Sequence, residues 1–325
     1  RDFLFETPEF YQLGTGTGTP FIDRSLEEGF SMNSYFGSAN YSFKNKYLAT
    51  VTVRRDKSSR FLGDNQVGIF PSFSAGWVVS QEDFFPEDGL ISNLKLKASW
   101  GELGNQTLPA ENPTLNIVQI SEDGAFYALN GANPPASGAE LVAVGNPDLK
   151  WETSVAQNIG FDLGMFDNRF SLGFEYFKIT TEDLISPDFS LISTTAIDAD
   201  PPLVNLGSVE NTGFDLSLNF QDQTESGFSY GINANISHYK NEVTELNSAF
   251  QVGFNTRIGT VSRTQVGQPI SSFFGLVIDG FDENGRWTYA DIGGDGIAGN
   301  DEDRTFIGSP HPDFTFGVNL NAAYK

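Results

Sequence analysis

The chain has 325 residues, and 19 Lys and Arg against 42 Asp and Glu give a formal net charge of −23. That surplus argues against nucleic-acid binding, because neutralising phosphates needs clustered cations. The chain contains no cysteine, which excludes disulfides, zinc ribbons and thiol catalysis, and its two histidines, His238 and His311, leave little room for His-rich metal sites or Ser-His-Asp chemistry.

In chain order the dominant signal is period-two alternation. Over 31–43, Tyr35, Gly37, Ala39, Tyr41 and Phe43 oppose Ser34, Phe36, Ser38, Asn40 and Ser42. Over 47–55, Tyr47, Ala49, Val51 and Val53 oppose Thr50, Thr52 and Arg54, and over 70–81, Phe73, Ala75, Trp77 and Val79 oppose small residues. Leu94, Leu96, Ala98 and Trp100 follow over 94–101, then Val155, Ile159, Phe161 and Leu163 over 153–164, where Gln157 interrupts the apolar face. Phe170–Tyr176, Phe214–Phe220, Phe228–Ser237 and Phe314–Tyr324 alternate the same way, which makes nine predicted strands. Aromatics make up 14% of the chain, a composition that suits a pleated surface better than a helix.

A soluble sandwich would also alternate, so strand length and connections decide. Most of these strands run about 9–13 residues, against a globular mode of roughly 5–6 and the roughly 9–11 that a tilted membrane strand needs. The connections alternate short (44–46, 82–93, 165–168, 221–227) with long (58–67, 102–152, 181–206, 240–312), the pattern of an outer-membrane barrel. In lipid every backbone N–H and C=O must be paired, so such a sheet has to close and turn an apolar face outward. Phe43 and Tyr47, Phe166 and Phe170, and Phe220 and Phe228 flank the short turns and predict one interfacial girdle. The reading is an all-β antiparallel transmembrane barrel segment with long extracellular loops.

Several stretches, taken together and in order, resemble one family: SYFGSANYSFKNKYLATVTVRRDKSSRF (34–61), FPSFSAGWVVSQEDFF (70–85), LKLKASWGELGNQ (94–106), NPDLKWETSVAQNIGFDLGMFDNRFSLGFEYFKITTEDLI (146–185), GSVENTGFDLSLNF (207–220), VGQPISSFFGLVIDGF (266–281) and DRTFIGSPHPDFTFGVNLNAAYK (303–325). They resemble the SusC-like (SusC/RagA) TonB-dependent outer-membrane transporters. The resemblance implies a plugged 22-stranded barrel, of which residues 1–325 form one part. Plug, TonB box and final strands are expected to lie outside this chain. It further implies energised import of oligosaccharides or peptides, a SusD-like surface lipoprotein as lid, the TonB-ExbB-ExbD complex as energy source, outer-membrane lipid around the wall and no enzymatic step. The residues alone leave open a scaffold or receptor barrel in a larger envelope complex and a soluble β-rich binding module.

One loop carries candidate metal chemistry. In 291–303, Asp291, Asp295, Gly296 and Glu302 fit the spacing of a Ca²⁺ loop, although Gly293 supplies no ligand at the third position and no helices flank it. The alternatives are a Ca²⁺-ordered surface loop or an acidic Gly-rich turn; in the resembling family this segment precedes an Asp-Arg pair, here Asp303-Arg304. Gly14, Gly16 and Gly18 lack the Lys-Ser/Thr of a phosphate loop. Phe126, Tyr127, Trp151, Trp287 and Tyr289 are loop aromatics that could stack on sugar rings or pack the loops together. Glu82 and Asp83, in a short turn, read as solvated charge. Excess acid on the loops fits an outer leaflet whose anionic lipids are bridged by divalent cations.

Overall fold

The structure, a computed structural model, describes residues 29–86, 89–108, 112–127, 136–188, 199–248, 251–252, 255–256 and 259–324, with backbone alone at 119–127, 136–140, 251–252, 255–256 and 259–260. Its centre is one antiparallel sheet of nine strands in consecutive order: β1 (Met32–Phe43), β2 (Tyr47–Ser58), β3 (Val67–Val78), β4 (Ile91–Asn105), β5 (Glu152–Met165), β6 (Phe170–Glu182), β7 (Gly207–Gln223), β8 (Phe228–Leu246) and β9 (Phe314–Tyr324). Every predicted strand is present, next to the neighbour its turn demands. The sheet is open, with β1 and β9 at its edges.

The register carries the alternation across the sheet. Ala39 pairs with Val51, Val51 with Phe73, and Phe73 with Trp100. Farther along, Phe161 pairs with Phe174, Phe174 with Leu216, Leu216 with Ile236 and Ile236 with Phe316. A one-residue slip anywhere would turn this whole set to the opposite face. One face is thus continuously apolar and well exposed, with Tyr35 at 65%, Ile159 at 62% and Phe316 at 78%. A soluble domain does not leave so large a contiguous apolar surface in water.

Several strands outrun their sequence signal, β7 with 17 residues and β8 with 19. The alternation stops where the outer face turns charged, at Lys178, Glu210 and Lys240 on β6, β7 and β8, while backbone pairing continues beyond it. Gln157, the break in the β5 pattern, pairs with Trp100 and Lys178 and so lies at this boundary.

The short turns follow from local chemistry. Lys44 and Asn45 both take left-handed φ, as a tight hairpin turn requires, closed by Lys46 N–H donating to the Phe43 carbonyl at 3.0 Å. Phe166, Asp167 and Asn168 do so consecutively between β5 and β6. At this end rings gather at two of the three expected places: Phe43 and Tyr47 stack at 6.4 Å, and Tyr230 lies 6.0 Å from both Phe220 and Phe228.

Glu82 is more than the solvated charge expected of it. Its carboxylate accepts from the Tyr47 hydroxyl at 2.6 Å, the Trp77 indole N–H at 2.9 Å and the Lys46 ammonium at 3.2 Å; Asp83 beside it is fully exposed. The Tyr47 bond first, then those of Trp77 and Lys46, hold the Glu82 pKa down at about 2. The folded state therefore binds this proton less tightly than the unfolded chain. The stabilisation is complete above the ordinary carboxylate pKa and is lost as pH falls through about 2. Denaturation midpoints of the full protein and its Glu82→Gln variant should differ at pH 6 and converge toward pH 2. A gap independent of pH would show that the carboxylate charge contributes nothing.

Candidate functional site: the polar wall and the loop hub above it

The other face of the sheet is polar and concave. One hollow is lined by Ser74, Lys95, Lys97, Ser99, Asn158 and Glu175, another by Ser171, Ser217, Asn219, Asn233, Asn235 and Asn319. Register explains the grouping: Ser99 pairs with Asn158, while Asn219, Asn233 and Asn319 form one cross-strand row. Lys97 on β4 lies 3.2 Å from both Asp162 on β5 and Glu175 on β6, bracing three strands. Glycines at 160, 173, 213, 231 and 317 keep the same face low. Such a surface offers amide and hydroxyl groups that both donate and accept, suited to hydrated polar solutes or to a polar protein surface.

Above the wall, at the end carrying the long connections, a compact hub closes over the strands. Phe61, Leu149, Trp151, Phe70 and Leu203 are buried together; Trp151 is 7% exposed, 5.0 Å from the Phe61 ring and 5.5 Å from Phe70. Nearly every residue of Asn146–Glu152 is committed to it. Asn146 donates to the Leu203 carbonyl at 2.9 Å, the Asp148 carbonyl accepts from Asn65, Lys150 exchanges two bonds with the Asn205 amide, and Glu152 accepts from Asn105 and from Ile185 N–H. Asn247 donates to the Asn205 carbonyl at 2.7 Å. All four long connections are thereby tied to one another. Loop packing was one of the two readings the sequence allowed for Trp151; what the sequence did not reveal is that the asparagines of separate loops converge on the same segment.

The loop aromatics separate. Trp151 packs loops and is closed to solute. Trp287 stands 56% exposed on a hairpin (278–289), 4.5 Å from the Phe281 ring, and Tyr289 is half-buried. Phe126 and Tyr127 lie on the paired segments 117–127 and 136–143, and their side chains are outside the described residues. Among the described residues neither histidine ring bonds a Ser or Thr hydroxyl. His238 lies on the apolar face, stacked on Phe314 at 4.7 Å, and His311 contacts the Tyr239 hydroxyl at 3.2 Å.

In the acidic loop, Asp291 accepts from Gly294 and Gly296 N–H at 2.7 and 2.9 Å, and Asp295 accepts from Ile297 N–H and the Asn300 amide. Glu302 is exposed. Among the described residues no three His, Cys, Asp or Glu side chains gather into a group able to hold a metal ion. The residue that organises the loop is Asp303, fully buried, whose carboxylate accepts from Gly293, Gly299 and Asn300 N–H at 2.9, 2.7 and 3.3 Å. These bonds, that of Gly293 foremost, lower its pKa. Asp303→Ala should leave three part-buried backbone N–H groups without their acceptor, at about 1–3 kcal/mol. Hydrogen exchange at the Gly293 and Gly299 amides should then speed up at least tenfold; unchanged protection would remove Asp303 from this role.

Comparison with known proteins decides what this wall is. The profile of the TonB-dependent receptor-like β-barrel family matches residues 3–325. The chain belongs to that family. Within it, this receptor barrel segment is 33% identical over its whole length to TonB-dependent receptor P3 of Formosa agariphila and 30% identical over 90% of its length to TonB-dependent receptor SusC of Bacteroides thetaiotaomicron. It spans about a third of the length of these relatives, 33% and 30% respectively. A structure of the RagAB peptide transporter superposes on 99% of the segment and 35% of that chain, with a TM-score of 0.77 at 26% identity. The receptor segment is thus of the SusC/RagA type, and its open nine-stranded sheet is a sector of a barrel wall.

Proposed function

We propose that this segment forms wall, lumen lining and outer loops of an importer in the bacterial outer membrane, one that takes up oligosaccharides or peptides too large for porins. The observation that carries the reading is the division of the sheet into an apolar face free of charge across its middle and a polar concave face, with every long connection at one end. Uptake would be driven through TonB-ExbB-ExbD acting on a plug and gated by a SusD-like surface lipoprotein. The names SusC and RagAB support this reading, and the wall itself needs no bond-making chemistry.

The test uses the full protein in its own membrane. It should sediment with the outer membrane and migrate faster unboiled than boiled in mild detergent. Cells expressing it should accumulate a fluorescent oligosaccharide or peptide pool that gene-deleted cells do not, and a protonophore should abolish the difference. Normal barrel migration with equal uptake in both strains would overturn import; a soluble protein with no heat shift would overturn the barrel.

A further inference from the structure

We propose that Arg55 and Lys57 hold a phosphate-bearing lipid headgroup at the membrane boundary on the long-loop side. The inference rests on reading the sheet as a membrane wall. Alternation along β2 puts both side chains on the apolar face, in line with Tyr47, Ala49, Val51 and Val53. Register sets Arg55 between Tyr35 and Ile69, and Lys57 between Asn33 and Val67. From there down to the short turns, that face of β1, β2 and β3 carries no charged residue. The step from Tyr47 to Arg55 is about 27 Å along the strand, or about 21 Å along the membrane normal at a tilt of about 40°; Lys57 stands about 5 Å higher, against an apolar band about 25 Å tall. Both cations therefore emerge where acyl chains end and headgroups begin, and their long stems reach farther outward.

What sets the pair apart is the absence of partners. Elsewhere on the outer face Lys178 lies 2.7 Å from Glu210 and Lys240 contacts Glu242, while Asp56, between the two cations, turns to the opposite face and binds Arg54 at 2.7 Å. Among the described residues neither Arg55 nor Lys57 makes a side-chain hydrogen bond or ion pair, and both are exposed. In a chain with more than twice as many acids as bases, two adjacent cations on a lipid-facing surface, unpaired among the described residues, suit an anion supplied by the membrane. A phosphate suits the planar guanidinium, which can donate two parallel bonds, with the ammonium as a second point charge. The apolar rings below them, Tyr41 and Phe73, offer a surface for the acyl chains, which a free phosphate ion would leave unused.

The full protein in nanodiscs is offered lipid A bearing its phosphates and the same lipid after phosphatase treatment, and retained lipid is counted by native mass spectrometry. Two near-surface cations predict a preference of about thirtyfold for the phosphorylated form, reduced by salt. The Arg55→Gln, Lys57→Gln double variant should lose that preference while keeping its heat-shifted migration. Equal retention of the two lipids by the natural protein, or an unchanged preference in the variant, would overturn the proposal, as would displacement of the lipid by inorganic phosphate at equal concentration. Loss of the heat shift in the natural protein would overturn the wall reading and the inference with it; a normal heat shift without lipid preference overturns the inference alone.

Discussion

Trp151→Ala should be the most damaging single change in the loop region, costing about 3–5 kcal/mol. The indole is almost fully buried against Phe61 and Phe70, so truncation opens a cavity in the one compact hydrophobic cluster among the described residues. Its Nε1 has no hydrogen-bond partner among the described residues, so Trp151→Phe sacrifices packing only and should cost clearly less. Because Asn146, Asp148, Lys150 and Glu152 tie the connection after β4 to those after β2 and β6, the damage should spread along the loops and leave the nine paired strands intact. In outer-membrane vesicles, external protease should cleave the Ala variant several-fold faster than the natural protein, while boiled and unboiled samples still migrate apart. Equal cleavage rates would mean that the hub does not hold the loops.

A charge placed halfway up the apolar face should be nearly as costly and tests the membrane assignment directly. Leu216 on β7 pairs with Phe174 and Ile236, with Phe220 at the short-turn side and the charged Glu210 toward the loops. At that depth Leu216→Arg should cost about 2–4 kcal/mol, because the guanidinium must be dragged toward the interface or solvated by a thinned bilayer. Ser217→Arg, one residue along and on the polar face, should be tolerated. Urea unfolding of the full protein in bilayers compares the two. If the variants unfold at the same denaturant concentration, the two faces do not see different solvents and the wall reading fails. A soluble sandwich with its core on the apolar face would share the Leu216 penalty but would unfold identically with and without lipid.

Much of this was legible in the residues themselves. Side chains alternate across a strand with a period of two, so an uninterrupted run such as Phe228, Tyr230, Ile232, Ala234 and Ile236 announces both a strand and the face it presents. Turn lengths at the two ends then set neighbours and orientation, and the nine-strand order followed without any long-range information. The ends of β7 and β8 were not legible, because beyond the apolar band both faces meet water and the alternation has no reason to persist.

Tertiary structure alone decided what depends on groups distant in sequence. Trp151 and Trp287 are the same residue type in long connections, and only the meeting of Phe61, Phe70, Leu149 and Leu203 around the first makes one a hub and leaves the other exposed. Glu82 became an anchor because hairpin pairing carried Tyr47 and Trp77 to its side. In the 291–303 loop the spacing drew attention to Asp291, Asp295 and Glu302, and only the fold shows that Asp303 is buried with three backbone N–H groups of its own. Local periodicity determines strands and faces because each residue senses only its own pleat. Burial and hydrogen-bond partners are set by which loops meet, and that encounter exists only once the sheet has formed.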